Sequence, residues 1–165
     1  MHMPVLNTPE GKVKRAGRAI CKEVGVYHFP VQQGGTSNAG IPDDVVCAWG
    51  LFLQIEYKHH MVWDKRTVTA YRSLPSDRQV WMMEKCRRGL GVTWVIDDTN
   101  LHLLEPSLRA IEEVAGEPVA FIWQTAMNAP VVWDWSYADF AMYKKGIGSV
   151  ERCLGRSIPV YVKGM

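Results

Sequence analysis

Asp43, Glu56 and Lys58 are the residues whose types and spacing could do chemistry in this chain. Asp43 closes the stretch Gly40-Ile41-Pro42-Asp43. Glu56-Tyr57-Lys58 comes thirteen residues later, at the end of the apolar run Leu51-Phe52-Leu53-Gln54-Ile55. Two carboxylates with an amine beside them are the minimum equipment for cutting a phosphodiester with a divalent metal. Facing carboxylates repel unless one is protonated or a cation lies between them. Oxygen donors suit a hard ion such as Mg²⁺, which keeps several waters and lets them be activated. Lys58 would supply positive charge where the phosphate becomes more negative, or help orient the attacking water.

The elements that must bring these groups together can be read locally. Val45-Val46-Cys47-Ala48 and the run from Leu51 are β-branched and apolar, interrupted by Trp49-Gly50, which predicts a β-hairpin. With Trp49 and Gly50 as the two turn residues, Ala48 faces Leu51 and, counting outward, Asp43 faces Glu56. Opposed residues share a face, about 5 Å apart. Glu56 and Lys58 share that face too, while Ile55 and Tyr57 point the other way. Trp-Gly is not a favoured two-residue turn, and a three-residue loop would turn Asp43 away. Either half alone has an ordinary reading: Pro-Asp as a turn, Glu-x-Lys as a solvated strand.

These residues resemble the PD-(D/E)XK nuclease superfamily. A helix with an early Glu10, a glycine-rich loop into Gly40-Ile41-Pro42-Asp43, then Glu56-Tyr57-Lys58, Gln79 at the head of a helix and a Gly-flanked strand follow one another. That order looks like the VRR-NUC branch and its neighbours, the archaeal-type Holliday-junction resolvases, and the similarity covers roughly residues 8–98. It implies a restriction-endonuclease-like α/β core over residues 1–98, a mixed central β-sheet flanked by helices. It also implies that Asp43, Glu56 and the backbone carbonyl of Tyr57 bind Mg²⁺ or Mn²⁺, with Glu10 a further candidate. Lys58 would be the catalytic lysine and Gln79 would assist. Asp44 stands where an apolar residue usually follows the Pro-Asp, and residues 59–77 form a longer segment than is typical.

The rest of the chain supplies context. It has 165 residues, 47% hydrophobic and 22% charged, with a net charge of +2. One globular domain with a sizeable core is expected, and the charge neither demands nor excludes nucleic acid. Cys21, Cys47, Cys86 and Cys153 form no Cys-x-x-Cys, and Cys21 and Cys47 fall among apolar residues. Reduced, buried thiols in a cytoplasmic protein are expected. There is no signal-peptide, lipidation or membrane-spanning pattern.

Thr8-Pro9-Glu10 predicts a helix start, with Val13, Ala16, Gly17, Ile20 and Val24 as the buried stripe. Glu10 falls on that stripe's line, so it either points at the metal face or complements the helix dipole. Lys12, Lys14, Arg15, Arg18 and Lys22 fill the remaining surface, where Lys12 and Arg15 are candidates for phosphate contact. Gln33 and Ser37, in the polar segment 32–40, and Lys65 and Arg66, in a loop or short hairpin over residues 61–74, could also grip DNA. His59 and His60 are poor ligand candidates, because Mg²⁺ does not favour imidazole.

Ser76-x-x-Gln79 is a capping box that alone could account for Gln79. Val80, Met83 and Leu90 mark that helix's apolar face, Arg87 and Arg88 suit its C-terminal dipole, and Val92–Ile96 reads as a strand buried on both sides. Residues 99–165 form a C-terminal α/β extension of the same domain. A helix is expected over 107–115 and a strand over 119–123. Later elements are a helix from Ser136 through Tyr143, a short one over 149–154 and a last apolar run over 159–162. Some of the seven tryptophans are expected at a subunit contact, in a homodimer. The function expected is a Mg²⁺-dependent DNA endonuclease, structure-specific and acting on branched DNA. The alternatives are a duplex-degrading or restriction-type nuclease and a decayed nucleic-acid-binding module.

Overall fold

The computed structural model describes residues 8–31, 40–59, 62–64, 69–71 and 75–132. The first helix, α1 (Pro9–Val24), starts where the capping signal places it: Thr8 accepts from the Gly11 amide and Pro9 occupies the first turn. Gly25 ends it in the left-handed conformation. Four strands follow around the site: β1 (Tyr27–Pro30), β2 (Asp44–Ala48), β3 (Leu51–Tyr57) and, after the short pair β4 (Val62–Asp64) and β5 (Thr69–Tyr71), β6 (Val92–Ile96). The sheet order is β1-β2-β3-β6, antiparallel except for β3 beside β6, which run parallel. The return to a parallel partner requires a crossover, and α2 (Asp77–Arg88) lies on it.

The β2–β3 turn is the two-residue one. Trp49 and Gly50 both take positive φ (48° and 91°), so the strands pair Ala48 with Leu51 and Asp44 with Ile55. Both central residues with φ > 0 define a type I′ turn, whose twist matches that of the strands. Gly50 takes its angle without strain; Trp49 does not, and its ring packs against the core.

Alternation splits the sheet into two faces. Val46, Ala48, Leu51, Leu53, Ile55, Tyr57, Val92, Trp94 and Ile96 point into one core with Val13, Cys21 and Val24 of α1. That core is closed by α3 (Leu104–Glu113), entered through a short 3₁₀ turn over Leu101–Leu103, and by α4 (Val119–Met127). Fully burying one such aliphatic side chain stabilises by roughly 1.5–3 kcal/mol. The Trp94 indole N–H donates to the Ala126 carbonyl at 3.2 Å, and Asn100 donates to both Val95 and Val131 carbonyls, tying the later helices to β6. α2 lies over the opposite face and contacts β6.

Several expectations change. Residues 119–123 are helix, not strand: the run Val119–Trp123 is apolar throughout, so periodicity does not discriminate, and the helix Val119–Met127 buries Ile122, Ala126 and Met127 while exposing Val119 and Phe121. The helix expected over 107–115 begins at Leu104, with Pro106 in its first turn, where a missing N–H costs nothing. Leu90 does not continue the apolar face of α2; it lies past the helix end, at positive φ and 67% exposed. Arg87 is fully buried rather than capping the helix in solvent. Cys47 is exposed, because it points to the α2 side of the sheet with Phe52, its half-exposed partner across the hairpin. The elements expected beyond Val132 lie outside the described residues.

Candidate metal centre

The register places Asp43, one residue before β2, across from Glu56 on β3. Both are buried, Asp43 5% and Glu56 3% exposed. The Tyr57 N–H donates to Asp43 Oδ2 at 2.8 Å, which locks one oxygen of that carboxylate against β3. In an extended strand the N–H and C=O of one residue face the same neighbour, so the Tyr57 carbonyl is directed to the Asp43 side as well.

Glu56 Oε1 accepts from the Gln79 amide at 2.6 Å and lies 3.2 Å from Lys58 Nζ. Glu56 Oε2 is buried and has no hydrogen-bond partner among the described residues. The Glu56 carboxyl is pushed up to about 8, first by burial and then by Asp43, against the pull of Lys58; Glu10 adds a further upward push.

Gln79 serves two purposes. Its Oε1 accepts from the Ser76 amide while Ser76 caps the Gln79 amide, and its Nε2 reaches Glu56. The capping box thus fixes the head of α2 with an amide aimed at the carboxylate.

One face of α1 answers the hairpin. Glu10, Lys14, Gly17, Arg18 and Cys21 recur at helical spacing. Lys14 Nζ sits 2.7 Å from Asp43 Oδ1. Arg18 grips Asp44 with two nitrogens, Nη2 to Oδ1 at 2.7 Å and Nε to the two oxygens at 3.0 and 3.1 Å. The Tyr57 hydroxyl donates to Asp44 Oδ2 at 3.4 Å, and burial, then Asp44, push that hydroxyl well up, so it stays protonated. A Cβ on Gly17 would run into the Tyr57 ring, so glycine there allows α1 to approach β3 closely enough for these pairs. The acid at position 44 is thus a fully buried anchor on the reverse face of the sheet.

Among the sequence-derived candidates, Asp43, Glu56, Lys58, Gln79 and the Tyr57 backbone come together. Glu10 stands at the margin, its Oε2 3.9 Å from His59 Nδ1. Among the described residues no group of three or more His, Cys, Asp or Glu side chains is arranged to hold a metal. Asp43, Glu56 and the Tyr57 carbonyl, with one buried carboxylate oxygen unpartnered among the described residues, would make a donor set that suits Mg²⁺, which is bound by one or two carboxylates and keeps its waters. Lys12 and Arg15 are exposed on α1. Gln33, Ser37, Lys65 and Arg66 lie outside the described residues. Lys14 and the Arg18–Asp44 pair were not singled out by sequence reasoning; the one signal was the unexpected acid after Asp43.

Comparison with protein-family models, with curated proteins and with solved structures finds no match to this chain. Among the described residues no helix is long and apolar enough to cross a membrane.

Proposed function

We propose that this chain is a divalent-metal-dependent endonuclease of the PD-(D/E)XK type, with a restriction-endonuclease-like core, hydrolysing phosphodiester bonds in DNA. The observation that carries the reading is the pairing of Asp43 with Glu56 on one sheet face, with Lys58 and Gln79 on one oxygen of Glu56 and no described residue bonded to the other. Asp43, Glu56 Oε2 and the Tyr57 carbonyl would hold Mg²⁺ or Mn²⁺. The ion supplies an activated water at neutral pH and positive charge at the phosphate.

The chain's own residues do the rest. Glu56 would bind the ion as its carboxylate, any proton on it passing to solvent, Gln79 would keep that carboxylate oriented, and Lys58 would hold an ammonium beside the scissile phosphate as negative charge grows there. Lys12 and Arg15, exposed on α1, would offer phosphate contacts.

The preferred substrate is branched DNA, cut by a homodimer whose two sites, related by a twofold axis, nick opposed strands. Incubation with a labelled four-way junction, a flap, a plain duplex and single strands, with and without Mg²⁺, tests this. Cleavage of the junction by a dimer supports it. Cleavage of plain duplex by a monomer would replace it with a duplex-degrading activity, and cleavage that survives chelation would remove the metal mechanism.

One observation favours a second reading. Each of the three buried carboxylates has its own cation: Asp43 with Lys14, Asp44 with Arg18, Glu56 with Lys58. A cluster satisfied in this way could serve as an ion-pair brace in a nucleic-acid-binding module. Binding of DNA without cleavage of any substrate in the panel would select that reading.

A further inference from the structure

We propose that Lys14 holds the metal's place at Asp43 in the metal-free protein and transfers its ammonium to the substrate phosphate when the ion arrives. The inference rests on reading Asp43 and Glu56 as a metal site. Asp43 has two oxygens with different constraints. Oδ2 is held by the rigid Tyr57 amide in the sheet, and Oδ1 is held by the ammonium of a four-carbon stem. Across from it, Glu56 presents one oxygen already engaged by Gln79 and Lys58 and a second, Oε2, that is buried and has no hydrogen-bond partner among the described residues.

Asp43 and Glu56 would hold the ion between them, Asp43 through the carboxylate that Lys14 now engages and Glu56 through a carboxylate with one oxygen unpartnered among the described residues. Lys14 stands in the way at Asp43 Oδ1. Its ammonium lies at contact distance from Oδ1, so the ion and the amine compete for the same charge.

Lys14 can leave without disturbing the fold. Its helix is fixed independently, by the Arg18–Asp44 pair and by the Gly17–Tyr57 contact one turn further on. Its side chain is 12% exposed, so part of it reaches solvent. A flexible lysine stem suits such an exchange, whereas an arginine fork would be held by two bonds, as Arg18 is. Lys14 therefore has two partners in sequence: Asp43 before the metal binds and a phosphate oxygen afterwards. The metal-free site stays neutral enough to remain folded, and the second cation reaches the phosphate only once the ion is in place.

Two measurements test this, and neither depends on turnover. Calorimetric titration of Mn²⁺ into the protein without DNA compares wild type with Lys14→Met. The variant is expected to bind about tenfold more tightly, because a competing charge has been removed at contact distance. In wild type, isotope-coded acetylation with mass spectrometry reads the accessibility of the Lys14 amine, which is expected to rise when Mn²⁺ saturates the site. This second arm holds even if Lys14→Met fails to fold.

If wild type binds Mn²⁺ but Lys14→Met binds it equally or more weakly, or if acetylation of Lys14 does not change with Mn²⁺, the exchange is wrong and the metal site stands. If wild type binds no Mn²⁺ at all, the metal reading itself is overturned. Cleavage then reports the second half of the cycle: Lys14→Met should lose about a hundredfold in turnover despite its tighter metal binding, and Lys14→Arg should recover part of it. Turnover in Lys14→Met equal to wild type would exclude the transfer to phosphate.

Discussion

Glu56 is the residue on which chemistry and stability meet. Its carboxyl is raised from the ordinary glutamate range to about 8 in the folded chain, so the folded state keeps a proton that the unfolded chain releases. The sign follows directly. Glu56's contribution is most favourable below the unfolded value, near 4.5, and is lost progressively as pH rises through about 8. Metal-free protein should therefore show a melting temperature that declines across that window from this group, and Glu56→Gln should flatten the decline; an unchanged pH profile in the variant would refute the assignment. In the metal-bound protein the same substitution should abolish cleavage, as should Asp43→Asn and Lys58→Ala, each by at least about a hundredfold, with the fold retained by circular dichroism. The sequence made these three residues legible because strand periodicity is strict. Once the turn is two residues long, every side chain's face follows from its number. Lys14 was not legible in the same way. It is one of five basic residues on α1, and which of them reaches across to Asp43 depends on how the helix sits on the sheet, a tertiary fact with no local signature.

At the scale of elements, α1 and the β2–β3 hairpin are joined through Gly17, Arg18, Asp44 and Tyr57. Substituting Gly17 by alanine puts a methyl group into the Tyr57 ring, and overpacking of this kind typically costs about 1–3 kcal/mol. Because the Tyr57 amide also fixes Asp43, Gly17→Ala should weaken Mn²⁺ binding as well as lower the melting temperature. Breaking the Arg18–Asp44 pair by Arg18→Met strands a fully buried carboxylate. Arg18 keeps 25% of its side chain in solvent, so the expected loss is about 2–3 kcal/mol in urea unfolding, below the figure for a fully buried pair. The double variant Arg18→Met, Asp44→Leu should be less destabilised than Arg18→Met alone, and a strictly additive result would show that the two residues do not act as a pair. Both element predictions concern features that a sequence hides. Asp44 is recognisable as an oddity beside Asp43, but its partner lies 26 residues away with no spacing rule to find it. The helix α4 was hidden for the opposite reason: its first five residues are all apolar and carry neither a 2-residue nor a 3.6-residue period.

Over the whole molecule, a four-stranded mixed sheet with α1, α3 and α4 on one face and α2 on the other holds the cluster at the ends of β2 and β3. The α/β class and the flanking helices were readable from hydrophobic patterning and capping residues. The roles of α3 and α4 in closing the main core were not, since their contacts with α1 and β6 are long-range. The site is organised by this scaffold rather than by a loop, so its geometry should survive substitution of the ligands themselves. The most direct measurement is therefore calorimetric titration of Mn²⁺ into metal-free wild type and into the Asp43→Asn, Glu56→Gln double variant, with folding of both verified. The account predicts saturable binding by wild type, proton release that grows as pH falls below about 8, and loss of that binding in the variant. Equal binding by the two proteins, or none by wild type, would contradict it.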